Sequence, residues 1–225
     1  MSATPEKTIG EQPSANSTLA QPTGFAAFLA ELQAGAPEMT YKWTKSKEYS
    51  CDWIIKRIAS GTGVDVGGTP YLQQKLTEKG CKMWLYDHNA QPGSDLVIQD
   101  DMLNILAHFA EDSLDFITTR HTLEHAIVPL FQLWAYRKIL KAGGRLFVIV
   151  PQHNENWVWF GTHHNCLPYE NWIMLFYRAG FGIVRAEAGS WSPANPAFIE
   201  WRFELVKESP NMRLEHFPLP KKRNV

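Results

Sequence analysis

The sequence predicts an α/β fold, a mostly parallel sheet with helices on both faces. Three observations carry that prediction. From Thr62 onward, short apolar runs alternate with longer segments of helical period, the pattern of strands joined by crossover helices. A glycine pair, Gly67-Gly68, follows the first apolar run and leads directly into Thr69-Pro70, an N-cap residue and a proline suited to the first helical position. Near the other end, Ile199, Trp201, Phe203 and Leu205 alternate with Glu200, Arg202 and Glu204, as in a strand with one buried and one solvated face.

The elements follow in order. Residues 1–23 are rich in Ser, Thr, Pro, Gln and Ala and lack aromatic residues, the composition of a mobile tail. Residues 24–60 read as an N-terminal helical segment. Phe25, Phe28, Leu29 and Leu32 share one helical spacing, and a second helix fits 47–59. Tyr41 and Trp43 lie between them, and the segment is a candidate lid. The main domain spans 61–207. Its strands are expected at 63–66, 82–86, 95–99, 114–118, 145–150, 182–188 and 197–206. Its helices are expected at 70–79, 101–109, 126–141 and 168–179. Residues 208–225 form a C-terminal tail ending in a short basic run, Lys221-Lys222-Arg223.

Composition narrows the classes. With 44% hydrophobic and 20% charged residues the chain is globular in character. A net charge of -1 offers no field to draw nucleic acid or an anionic membrane. No apolar run approaches the ~20 residues of a membrane span, and the start lacks the layout of a secretory signal. Cys51, Cys81 and Cys166 are odd in number and widely spaced, which argues against a disulfide framework and for a cytoplasmic location.

Two stretches suggest chemistry. In Gly63-Val-Asp-Val-Gly-Gly-Thr-Pro-Tyr71, glycines allow close approach to the backbone and a helix start offers free N–H groups. Asp65 there either holds the loop through hydrogen bonds or binds a ligand ammonium. Asp87 ends the next strand, 20 residues after Gly67. A carboxylate at that place can accept both hydroxyls of a ribose.

Further on come Asp101-Met102, then Leu114-Asp-Phe116, then His121-Thr-Leu-Glu-His125, and finally Leu140-Lys-Ala-Gly-Gly-Arg-Leu-Phe-Val-Ile-Val-Pro151. In this order, from about residue 49 to 206, the chain resembles the Rossmann-like S-adenosylmethionine-dependent methyltransferases. The resemblance implies a seven-stranded sheet whose last strand is antiparallel. It implies S-adenosylmethionine as cofactor, with Asp65, Gly67 and Gly68 along its methionine part, Asp87 at its ribose, Asp101 at the adenine amino group and Met102 against the ring. Arg120 and His121 would sit beside the cofactor and the substrate entrance. Thr69 and Tyr71 stand where the family usually has glycines, which leaves room for an altered cofactor site.

The loop 152–165, after the fifth core strand, emerges on the edge where open α/β folds bind ligands. Trp157, Trp159 and Phe160 either stack on a flat substrate or anchor a hydrophobic flap. His121, His153, His163 and His164 are the candidate general bases. His121 and His125 with Glu124, and His163-His164-Asn165-Cys166, also invite a metal reading. The resembled family has the first segment as a helix start without metal, and no second ligand cluster accompanies the other at metal-site spacing, so no metal is expected.

The expected function is methyl transfer from S-adenosylmethionine to an oxygen or nitrogen of a small molecule. Nucleic acid and membrane are not expected as partners, and the sequence sets no oligomeric state. Two alternatives stay open: a nicotinamide-dependent oxidoreductase on a similar fold, and a non-catalytic, methyltransferase-like binding protein.

Overall fold

The computed structural model describes residues 46–159, 162–192 and 195–208, together with Ala27. The expected mobile tail, the helix at 25–32, Tyr41, Trp43, Phe160 and the basic C-terminal run lie outside the described residues.

Helix α1 (Ser46–Ile55) leads into β1 (Thr62–Val66), α2 (Pro70–Glu78) and β2 (Lys82–Tyr86). The two-residue strand β3 (Val97–Ile98) follows, then a 3-10 helix at Met102–Ala107 and β4 (Leu114–Arg120). A 3-10 turn at Leu123–His125 precedes α3 (Pro129–Ile139) and β5 (Leu140–Pro151). The short α4 (Glu155–Val158), α5 (Tyr169–Arg178), β6 (Phe181–Ser192) and β7 (Asn195–Lys207) complete the order.

The seven strands form one sheet in the order β3-β2-β1-β4-β5-β7-β6. β1 to β5 pair in parallel, and β7 runs antiparallel to both neighbours. The expected fold class is thus observed, including the antiparallel last strand.

Side-chain alternation along the strands builds two cores. Val64, Val66, Ile117, Leu146, Val148 and Val150 pack beneath α3 and α5. Phe116, Phe147 and Ile149 point the other way, with Cys51 and Ile54 of α1 and Leu72 and Leu76 of α2. A strand buried on both faces has no polar side to show, which is why β4 and β5 read as continuous apolar runs.

The structure departs from the sequence reading at several places, three of which follow. The helix expected at 101–109 is a 3-10 helix, capped by Asp101 Oδ1, which accepts from Leu103 N at 2.9 Å. The helix expected at 126–141 starts at Pro129, because the residue before a proline is kept out of helical geometry. Glu200, read as part of a solvated face of the last strand, is fully buried. Its carboxylate meets His121 and Arg202 there, while helix α1 packs against the neighbouring β6.

Candidate functional site

The site is built where β1, β2 and β4 end. Asp65 and Gly67 turn the chain from β1 into α2. Asp65 is buried, its Oδ1 accepting from Thr118 Oγ1 at 2.7 Å and its Oδ2 from Thr69 N at 2.9 Å. One carboxylate thus ties β1 to β4 and to the helix start. Burial raises its pKa to about 6, against the pull of those two hydrogen bonds and of Arg120. Of its two expected roles, the hydrogen bonds on the page serve the loop-holding one.

Gly67 has φ +68, in the left-handed region, and a Cβ there would run into the Thr122 side chain. Gly68 would place a Cβ 2.5 Å from the Asp65 carbonyl oxygen. Both positions therefore exclude larger residues. Thr69 caps α2, its Oγ1 accepting from Leu72 N at 3.3 Å, and Tyr71 donates its hydroxyl to Asp52 Oδ1 of α1 at 3.3 Å. The two residues that depart from the family's glycines thus sit in the helix cap and first turn, where glycine freedom is not required.

Asp87 follows β2. Its N–H donates to Ile98 O at 3.2 Å, and its Oδ1 accepts from Asn89 N at 2.7 Å. The carboxylate keeps 22% of its surface exposed, so a ligand at the sheet edge can reach it. Tyr86, just before it, donates its hydroxyl to Asp101 O at 2.6 Å and so fixes the start of the Asp101-Met102 segment beside β2. Gln132 Nε2 donates to Met102 O at 3.0 Å, holding the same segment from α3.

Arg120 ends β4 and is buried. His121 comes next with φ +50. Its Nδ1 lies 3.2 Å from Glu124 Oε1 and its Nε2 3.0 Å from Glu200 Oε2. Burial pulls the imidazole pKa down, but the two carboxylates outweigh it and the net shift is upward. For Glu124, burial pushes upward and His121 more than reverses it. Both ring nitrogens of His121 face carboxylates, which favour the charged ring.

The loop histidines separate. His163 is nearly buried, its Nδ1 donating to Trp157 O at 2.9 Å, and burial lowers its pKa. His153 is exposed, with Nδ1 donating to Cys166 O. His164 is exposed as a side chain, while its backbone N–H donates to Glu124 O at 2.8 Å. Trp157 is buried against His121, His163, Trp191 and Phe198, and its Nε1 donates to Ile199 O at 3.1 Å. It anchors the flap. Trp159 is 84% exposed.

Sequence reasoning missed Cys51, Thr118 and Glu200. Cys51 of α1 feels Arg120, Asp65, Thr69 and Glu200, and burial raises its thiol pKa to about 11. Its only sequence signal was its place on a predicted helix. Glu200 carried a misleading signal, since its alternation matched a solvated face. All three cysteines are unpaired and buried. No helix among the described residues is long and apolar enough to cross a membrane.

No protein-family model matches the sequence, and no curated protein matches it. Solved structures do match. Burkholderia thailandensis 1,6-didemethyltoxoflavin-N1-methyltransferase, solved with 1,6-didemethyltoxoflavin and S-adenosylhomocysteine, aligns with a TM-score of 0.63 at 12% identity, over 82% of this chain and 87% of that one. A SAM-dependent methyltransferase from Methanosarcina mazei aligns with a TM-score of 0.57 at 14% identity, over 69% and 97%. The [4+2]-cyclase SpnF aligns with a TM-score of 0.55 at 13% identity, over 81% and 92%. At such identities the likeness is one of fold. The strand order, the antiparallel β7 and these alignments together give this chain the Rossmann-like fold of the S-adenosylmethionine-dependent methyltransferases.

Proposed function

We propose that the chain binds S-adenosylmethionine and transfers its methyl group to an oxygen or nitrogen of a small molecule. The observation that carries this reading is the partly exposed Asp87 carboxylate just after β2, next to the Asp65-anchored glycine turn at the end of β1. In open α/β sheets the carboxyl ends of the strands are where nucleotide-like ligands bind. Asp65, Gly67 and Gly68 would line the methionine part, Asp87 would accept the ribose hydroxyls, and Asp101 with Met102 would receive the adenine. Arg120 would lie beside them. The 1,6-didemethyltoxoflavin-N1-methyltransferase of the same fold supports a small acceptor. The nicotinamide alternative is disfavoured by the strand order, since the usual dinucleotide sheet runs 3-2-1-4-5-6 without an inserted antiparallel strand.

The sulfonium cofactor supplies an activated methyl group when bound, so the residues mainly position the acceptor and exclude water. Where the acceptor must lose a proton, His153 is the best-placed of the four histidines. Its Nδ1 is committed to Cys166 O, a carbonyl that only accepts, so Nε2 carries the lone pair, and the ring is exposed. His121 has both ring nitrogens facing buried carboxylates instead.

Calorimetry with S-adenosylhomocysteine tests the reading. Binding at one site per chain is expected. Replacing Asp87 by Ala should weaken it by roughly 10- to 100-fold, the loss of two hydrogen bonds to a charged acceptor. Absence of binding to the wild-type protein, or equal affinity in the variant, would overturn the assignment.

A further inference from the structure

We propose that Glu124, His125 and His163 form a binding site for one divalent transition-metal ion, zinc in the first instance. Along the chain these residues belong to two separate histidine-bearing stretches, neither of which is a metal motif alone. The fold closes one on the other. His164 N and Asn165 N donate to Glu124 O at 2.8 and 2.9 Å, and Asn165 Nδ2 donates to Ala126 O. Glu124, His125 and His163 thereby bring one ligand atom each to within 4.8 Å of one another.

The two rings are set in the orientation that metal-bound histidines adopt. His125 Nδ1 donates to Thr162 O at 2.8 Å, and His163 Nδ1 donates to Trp157 O at 2.9 Å. A carbonyl only accepts, so in each neutral ring the proton is on Nδ1 and the lone pair on Nε2. Ligating histidines are tethered through the opposite nitrogen in just this way, often to a backbone carbonyl. His163 Nε2 lies 3.9 Å from Glu124 Oε1, and the two rings meet edge to face with centroids 4.8 Å apart.

The carboxylate is the second, independent observation. Glu124 has no exposed side-chain surface, and its Oε2 has no hydrogen-bond partner. The nearest cation, His121 Nδ1, stands 3.2 Å from Oε1 in an ion-pair contact. Buried carboxylates are ordinarily hydrogen-bonded or bound to a metal. A tetrahedral zinc with ligand bonds of about 2.0–2.2 Å needs ligand atoms about 3.3–3.6 Å apart, so a movement of roughly 1 Å in these side chains closes the site.

Two imidazoles select against calcium and magnesium, which take oxygen ligands, and suit zinc and its neighbours. Cys166 is outside the set: its sulfur lies 3.3 Å from His163 Nδ1, the ring nitrogen facing away from Glu124. Three protein ligands leave the fourth position for water or another small donor. The ion would clasp the loop 162–166 to the turn Leu123–His125.

The test uses untagged full-length protein, freed of metal by a chelator and titrated with Zn2+ or with Co2+ as a spectroscopic probe. One equivalent should bind, Co2+ should show visible d–d bands that chelator abolishes, and Zn2+ should raise the melting temperature. His125→Gln and His163→Gln should each weaken binding by roughly 100-fold or more, while His153→Gln and His164→Gln should not. Sub-stoichiometric uptake by the wild-type protein, or binding indifferent to His125→Gln and His163→Gln in folded protein, would overturn the proposal. Should either ligand variant fail to fold, the wild-type Co2+ spectrum decides: only a low-coordinate site with imidazole ligands agrees with the assignment, and a hexaaqua-like spectrum refutes it.

Discussion

Glu200 Oε2 accepts a hydrogen bond from His121 Nε2 at 3.0 Å, linking β7 to the residue that follows β4 across 79 positions of sequence. Arg202 holds the other oxygen, its Nε donating to Glu200 Oε1 at 2.8 Å. With Glu124 on the opposite ring nitrogen, the imidazole ring sits between two buried carboxylates.

That arrangement sets a pH window. The His121 pKa is raised in the fold, so its stabilising contribution is complete below the unfolded value of about 6.5 and is lost as pH rises through the folded one. The Glu124 pKa is lowered, so its contribution is complete above about 4.3 and lost as pH falls through the folded value. The two overlap between about pH 4.5 and 6.5. His121→Asn keeps a residue that tolerates the left-handed backbone at φ +50 but removes the charge. Its destabilisation, measured by denaturant melts, should be greatest in that window, on the order of 3–5 kcal/mol, and should shrink at higher pH. A penalty that does not vary with pH would contradict the ion-pair account.

Asp65 acts with the opposite sign. Burial raises its pKa from 3.8 to about 6, so the folded state holds the proton more tightly than the unfolded chain. Its contribution is complete below about pH 4 and falls as pH rises to about 6, by about 3 kcal/mol in all. Asp65→Asn keeps a side-chain oxygen for Thr69 N and offers an amide donor to Thr118 Oγ1. The variant should lose the downward slope of stability between pH 4 and 6, and ligand-free protein should gain stability near neutral pH. An unchanged slope would place the titrating group elsewhere.

Gly67 was legible in the sequence because a turn between strand and helix calls for glycine, and the structure supplies the reason in full: a positive φ and the Thr122 side chain where a Cβ would be. Gly67→Ala should cost about 1–3 kcal/mol in thermal or denaturant melts, from backbone strain and overpacking together. Thr122→Ala in the same chain should recover the packing part only, and a full recovery would show that the backbone strain is negligible.

Local signals thus reached the ends of β1 and β2, where each feature depends on neighbours in sequence. They did not reach Glu200, because it is buried in contact with His121, 79 positions earlier, on a face whose alternation looked solvated. Nor did they join His125 to His163, because that proximity is made by the loop's backbone bonds to Glu124. Periodicity reports which residues share a face, and only the tertiary fold decides what covers it.

The last prediction concerns proton removal. His153, His163 and His164 lie on one loop, but their surroundings assign them different work. His163 is nearly buried, with its Nδ1 spent on Trp157 O, so His163→Ala should lower stability along with any activity. His164 holds the loop through its backbone N–H, so its side chain should be replaceable with little effect. His153 keeps an exposed ring whose Nε2 bears the lone pair, and imidazole accepts protons near neutral pH. Once the acceptor is found by screening small molecules, His153→Ala should leave the melting temperature and S-adenosylhomocysteine affinity close to wild type. Turnover should fall by roughly 100- to 10,000-fold, the usual loss for a general base. The deficit should narrow as pH rises, because an acceptor that ionises by itself no longer needs the base. Full turnover in His153→Ala at neutral pH would remove base catalysis from this residue and leave positioning of the acceptor as the source of rate.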